Sequence, residues 1–201
     1  MPPQRSKTVE SLLAGAERAF AERGFHGASI GYICQCAGRT TGAFYSNYDS
    51  KVKLFLDVFR RHSDRTAEGV EQALAAVDTS RDPAAALAAV FAGVADRVLD
   101  ERWLSLTMEF RLMAIRDAEA AGALAEHEEQ FNGRVGAALD AVYARIGRRP
   151  VLPGPLMAAL LGAMIRGVRL DRGFHQASGG AVPLDRAALE RALHGLLAPS
   201  P

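Results

Sequence analysis

Cysteine is nearly absent from this 201-residue chain, occurring only at positions 34 and 36. Two residues apart on a helix, the pair cannot close a normal disulfide, so a reducing, cytoplasmic setting is expected. No second Cys/His pair at ligand spacing accompanies them, and the histidines at 26, 62, 127, 175 and 194 are scattered, so no metal site is expected. No stretch of about 18 uncharged apolar residues occurs, and the opening MPPQRSK is not that of a signal peptide, so no membrane association is expected. Strand-type alternation is missing, as is any repeat of about 20–50 residues. HExxH, a Gly-rich loop ending in Gly-Lys and paired ExxH are all missing too, and no cofactor is expected.

What remains is ordinary in bulk, with 49% apolar and 23% charged residues. A chain of this length buries roughly 70% of its unfolded surface, enough for a core without staples. The net charge of +1 hides an asymmetry. Residues 1–68 hold 10 Lys and Arg against 7 Asp and Glu, whereas residues 69–201 hold 14 against 16. All three lysines (Lys7, Lys51, Lys53) fall in the first part, where a polyanion partner would need them.

The stretch Ala28–Lys53 organises the chain. Ser29 is an N-cap type, and Ile30, Ile33, Cys34 and Ala37 follow at helical spacing. Gly38 tolerates the left-handed conformation that ends a helix. Thr40 or Thr41 caps a second short helix ending at Tyr45-Ser46-Asn47-Tyr48, and Asp49-Ser50 caps a third. Two short helices around a glycine turn form the pattern of a helix-turn-helix, whose second helix can enter a DNA major groove.

The remaining pattern is all-α, with nine helices expected. Residues 1–7 read as a disordered basic arm. Helix 1 spans about Thr8 to Arg23 and stops at Gly24. Helix 4 covers about 50–77. Its polar waist, Ser63 to Gly69, suits a helix leaving one core for another, so the domain boundary falls inside it near residue 65. The helix-turn-helix domain is then 1–50 and a second domain 51–201, with helix 4 bridging. Asp82-Pro83 opens helix 5, about 83–100. Helix 6, about 102–116, is apolar on two sides, so it is sandwiched or lines a cavity. Helix 7 spans about 118–147 and helix 8 about 155–172. A Gly-rich loop at 173–183 precedes helix 9, about 185–198.

The words AERGFHGASI and AGRTTGAFYSNYDSK, then LF, are dense over residues 10–56, about a quarter of the chain. With the helix order, they resemble the TetR (tetracycline-repressor-like) family of bacterial transcriptional regulators. The resemblance implies a homodimer on a palindromic double-stranded DNA operator, with recognition helices about one turn (~34–36 Å) apart. Carried over by motif, Ser29, Thr40, Tyr45, Tyr48 and Lys51 would hold phosphates. Arg39, Thr41, Ala43, Ser46 and Asn47 would meet base edges, and Gly42 would permit close approach. Position 39 is usually aliphatic in the family and position 41 often Lys; here they are Arg and Thr, so the operator of a relative does not transfer.

The resemblance also implies a sensor. A small molecule that prefers one form shifts the equilibrium between DNA-competent and released states. The expected pocket residues are Phe91, Trp103, Glu109, Phe110, Met113, Phe131 and Tyr143, with Glu109 either a pocket anchor or an ion-pair partner. Helices 8 and 9 would form the dimer interface through Leu160, Leu161, Met164, Val168, Leu189, Leu193 and Leu196.

Duller readings stand beside these. Tyr45 and Tyr48 divide between phosphate contact and core packing. Cys34 reads as a small buried hydrophobe and Cys36 as more exposed, with thiol sensing the alternative. Glu126-His127-Glu128-Glu129 reads as a solvated face. The expected function is a ligand-responsive DNA-binding regulator, by family habit a repressor and not an enzyme. The alternatives are an all-α enzyme and a helix-turn-helix module that binds protein instead of DNA.

Overall fold

The computed structural model describes residues 3–98, 101–180 and 184–198. Among them the chain is all-helical: α1 (Pro3–Gly27), α2 (Ile30–Ala37), α3 (Thr41–Tyr45), α4 (Lys51–Ala75), α5 (Pro83–Val98), α6 (Glu101–Ala114), α7 (Ala118–Arg145), α8 (Gly154–Ser178) and α9 (Arg186–Leu197). Side-chain caps set several starts. Asp82 Oδ1 accepts the Ala85 N–H at 3.0 Å and Asp185 Oδ1 that of Ala188 at 2.7 Å.

Two expected irregular segments are helical. Residues 3–7, expected as a disordered arm, belong to α1, whose helical run is interrupted at Gly24 (φ 67, ψ 177). The expected Gly173–Pro183 loop is helical as far as Ser178, and Gly179 (φ 68) ends α8. Single glycines at 167 and 173 do not stop it, since one glycine costs a helix only about 1 kcal/mol. Residues 181–183 lie outside the described residues.

The chain divides into two compact units. The first comprises residues 1–63 and 102–127, the second 64–101 and 128–201. All three breaks fall within helices, α4 after Ser63, α6 after its first residue Glu101, and α7 after His127. Residues 102–127, which sequence reading groups with the C-terminal domain, thus join the helix-turn-helix in a discontinuous unit.

The first unit has an aromatic heart. Phe20, Phe25, Phe55 and Phe110 are all but fully buried. The Phe55 and Phe110 rings stack 4.3 Å apart, and Phe25 meets each edge-on at 5.3 and 5.7 Å. Such pairs add about 0.5–1.5 kcal/mol beyond simple burial. α1 and α2 touch closely because position 15 carries no side chain. A Cβ there would lie 2.6 Å from Ala37.

The second unit is aliphatic and alanine-rich: Leu74, Leu87, Ala88, Ala92, Leu139, Met157, Leu161, Ile165, Leu193 and Leu197 are buried. Four residues expected at a dimer interface, Leu161, Val168, Leu189 and Leu193, belong to this core instead. On helices apolar around most of their circumference, pattern alone does not distinguish the inner stripe from the outer one. The large exposed apolar residues of α8 are Leu156, Leu160 and Phe174.

Candidate nucleic-acid interface

The chemistry of the helix-turn-helix starts with its caps. Ser29 Oγ accepts the Tyr32 N–H at 3.2 Å and opens α2. Gly38 (φ 62) closes it: the Gly38 N–H donates to Gln35 O and the Arg39 N–H to Cys34 O, at 3.1 and 2.9 Å. This paired arrangement is a Schellman end, which turns the chain while satisfying the last carbonyls. Thr40 Oγ1 accepts the Ala43 N–H at 3.2 Å and opens α3. As cap acceptors, the Ser29 and Thr40 hydroxyls keep their own protons to donate, and both residues are exposed.

Phe44, fully buried, pins α3 to the unit. The opposite face presents Thr41, Gly42, Tyr45 and Ser46 to solvent, with Tyr45 61% exposed. Ser46 Oγ donates to Gly42 O at 2.8 Å, so this hydroxyl bends back on its own helix. Ala43 and Asn47 are half-buried at the margins. The Asn47 amide is used at both ends: Nδ2 donates to Ala43 O at 2.8 Å, and Oδ1 accepts Arg5 Nε at 3.3 Å. Arg39 is exposed at the turn, and its Nη2 donates to Ser11 Oγ of α1 at 2.9 Å.

Two residues expected on phosphates have inward roles. Tyr48 is buried to 6% exposure and its hydroxyl meets Asp57 Oδ2 at 3.1 Å. Burial, then the charge of Asp57, pushes that hydroxyl's pKa up. Tyr48 is thus the core aromatic of the pair and Tyr45 the outward one. Lys51 Nζ donates to Phe25 O at 2.7 Å and Ala28 O at 3.1 Å, and lies 4.6 Å from the Phe25 ring centre. A cation at a helix start opposes the helix dipole. Here two backbone carbonyls compensate, and burial holds the ammonium pKa below its usual range.

Glu109 makes a contact that the sequence does not suggest. Its Oε2 accepts the Phe25 N–H at 2.7 Å, beside Gly24. A Cβ on Gly24 would come within 2.8 Å of Glu109 Oε1. The contact spans 84 residues of sequence, and no local pattern announces it.

The other expected pocket residues separate by unit. Trp103, Phe110 and Met113 belong to the first, with Glu109, whereas Phe91, Phe131 and Tyr143 belong to the second. Phe110 is sealed among phenylalanines, and Tyr143 Oη donates to Leu197 O at 2.7 Å in a buried bond. Trp103 stacks on His62 at 4.0 Å and lies 6.1 Å from Phe59, which also meets His127 edge-on at 5.0 Å. The buried His127 (7% exposed) belongs to this aromatic set, which corrects its expected place on a solvated face. A cleft of about 390 Å³ lies elsewhere, between α5 and α9. Ala85, Ala88, Ala89, Ala187, Glu190, Arg191 and His194 line it, and none of the seven expected residues does. Cys34 is buried and Cys36 half-exposed, both as free thiols; burial raises the Cys34 pKa.

A capped helix, a Schellman turn and a second helix with a bare outer face define a helix-turn-helix of the DNA-reading kind. The sequence profile described as "Bacterial regulatory proteins, tetR family" matches residues 12–58. The HTH-type transcriptional activator FasR of Mycolicibacterium smegmatis is 35% identical over 77 residues, 38% of this chain and 35% of FasR. The HTH-type transcriptional repressor AcnR of Corynebacterium efficiens is 27% identical over 139 residues, 69% of this chain and 64% of AcnR. The chain thus spans less than two thirds of either relative. A solved TetR-family transcriptional regulator from Mesorhizobium loti superposes with a TM-score of 0.72 at 19% identity, over 95% of this chain and 93% of that one. At that identity the likeness is one of fold. Residues 12–58 thus carry the amino-terminal signature of the TetR family of bacterial regulatory proteins, and the rest of the chain shares the fold of a solved member.

Proposed function

We propose that this protein is a transcriptional regulator that binds duplex DNA through α2 and α3 and is released by a small molecule. One observation carries the reading. The profile match at 12–58 covers the α2–α3 turn, where buried Phe44 leaves Thr41, Gly42 and Tyr45 facing outward. Tyr45 and the hydroxyls of Ser29 and Thr40 can donate to phosphates, and Thr41 can approach bases. The protein binds rather than catalyses and works in the cytoplasm; among the described residues no helix is long and apolar enough to cross a membrane. Repression is favoured by the likeness to AcnR, the relative aligned over more of the chain.

The working form is a homodimer joined through α8 and α9. Leu156, Leu160, Ala163, Gly167 and Phe174 lie on one stripe of α8 and are exposed in the single chain. Spacings of four and three residues suit helix against helix, and the small residues permit close approach. Of the residues expected there, Leu160, Met164 and Leu196 remain candidates. For the effector, the aromatic group around Trp103 offers flat faces suited to an unsaturated or cationic small molecule.

The test is fluorescence anisotropy with duplexes from upstream of the protein's own gene. Salt-sensitive binding of two chains per duplex is expected. The double substitution Thr41→Ala, Tyr45→Ala should weaken it at least tenfold, as loss of one or two polar DNA contacts of about 1–3 kcal/mol each requires. A native chain that binds no duplex at low salt removes the reading.

A further inference from the structure

The start of α1 contacts the reader at two places. Arg39 Nη2 donates to Ser11 Oγ beside the turn, and Arg5 Nε donates to Asn47 Oδ1 at the far end of α3. The second contact changes what both of its partners can do. Asn47 Nδ2 is held by Ala43 O at 2.8 Å, so with Oδ1 on Arg5 the amide is fixed in one orientation. An amide reads adenine by turning one N–H and its oxygen to the base together, and Asn47 already commits one N–H to Ala43 O and its oxygen to Arg5, so turning toward a base would give up both contacts. Arg5 is in the opposite condition. It is exposed, spends Nε on Asn47, and neither Nη finds an acceptor among the described residues. A guanidinium held at one corner, with its outer nitrogens bare, matches the paired oxygens of a phosphodiester.

We propose that Arg5 is a further DNA-backbone contact, and that Asn47 is the positioning residue that holds it beside the reader instead of a base-reading side chain. The proposal rests on the regulator reading above. It gives the helical start of α1 a purpose: the first turn carries a cation to the end of α3, where Asn47 fixes its direction. The ligand is phosphodiester oxygen of any sequence, so Arg5 adds affinity and register without adding sequence preference.

The test is a salt titration of duplex binding for the full-length chain, wild type against Arg5→Ala, Arg5→Lys, Asn47→Ala and the double Arg5→Ala, Asn47→Ala. Arg5→Ala should weaken binding about tenfold, the loss expected of a hydrogen bond to a charged group. It should also flatten the slope of log K against log salt by about 0.9 per chain bound. Arg5→Lys should keep that slope, because the charge remains. Asn47→Ala should weaken binding in the wild-type background and do nothing further once Arg5 is gone. An equal cost of Asn47→Ala in both backgrounds would show Asn47 acting for itself. An unchanged slope in Arg5→Ala, with wild-type binding intact, also overturns the proposal. If the wild type binds no duplex, the regulator reading fails first and this proposal falls with it. Thermal unfolding followed by Trp103 fluorescence verifies that each variant retains its fold.

Discussion

The two units solve the same packing problem with different materials. Six of the nine phenylalanines (Phe20, Phe25, Phe44, Phe55, Phe59 and Phe110) lie in the first unit. The second carries Phe91, Phe131 and Phe174 and relies on leucine, valine and alanine, with backbones brought into contact. A Cβ on Gly136 would lie 2.3 Å from Pro155 N, across the junction of α7 and α8. A few large rings concentrate stability at a few positions. Many small side chains spread it, so that single deletions cost less. The unit with the candidate DNA-reading surface is thus the one whose core rests on aromatic rings.

The largest expected effect that would break this comparison is Phe110→Ala. Removing a fully buried ring should cost the first unit about 3–5 kcal/mol. The only tryptophan, Trp103, also lies in that unit. Urea unfolding followed by Trp103 fluorescence should therefore shift far more than helix content followed by circular dichroism. Coincident shifts would show that the two cores melt together.

Gly15→Ala comes next, because its new methyl would stand 2.6 Å from Ala37 and force α1 from α2. Overpacking of this kind costs about 1–3 kcal/mol, again read on Trp103. Tyr143→Phe probes the second unit by removing the buried hydroxyl that donates to Leu197 O. An expected loss of about 1–2 kcal/mol, in circular dichroism only, would sharpen the contrast.

The smallest effect tests charge. Arg134 grips Glu71 through Nε and Nη2, both at 2.9 Å, and reaches Asp64 at 3.2 Å. The hydrogen-bonded guanidinium holds the Glu71 carboxyl below its usual value of about 4.5. A depressed carboxylate pKa stabilises in full above the ordinary value, and the gain is lost as pH falls through the folded one. At about a third exposed, the pair is worth about 0.5–1 kcal/mol. Thermal melts of Glu71→Gln should therefore lie below wild type at pH 7 and converge with it in acid.

The sequence made the reader legible because its signals are local. Ser29, Gly38, Thr40 and Ser50 act within three or four residues of themselves, and each sits at a helix end or turn as its chemistry requires. Phosphate or core was an open question for Tyr45 and Tyr48, and burial resolved it as one outward and one inward. What stayed hidden was long-range. The Glu109 carboxylate on Phe25 and the Arg5 contact with Asn47 join residues 84 and 42 positions apart. Gly15 left a faint trace as an isolated glycine inside a helical stripe, where such residues usually have a packing reason. The inner and outer faces of α8 and α9 could not be separated, since leucines line both.

The grip on Phe25 also bears on how this protein could be cut and recombined. Its N–H is held by Glu109 of α6 and its carbonyl by Lys51 of α4. A graft of residues 1–63 onto another sensor would carry Lys51 but leave Glu109 behind, together with Leu106, Phe110 and Leu124 of the same core. The portable reader is therefore two segments of chain, and a working chimera has to inherit both.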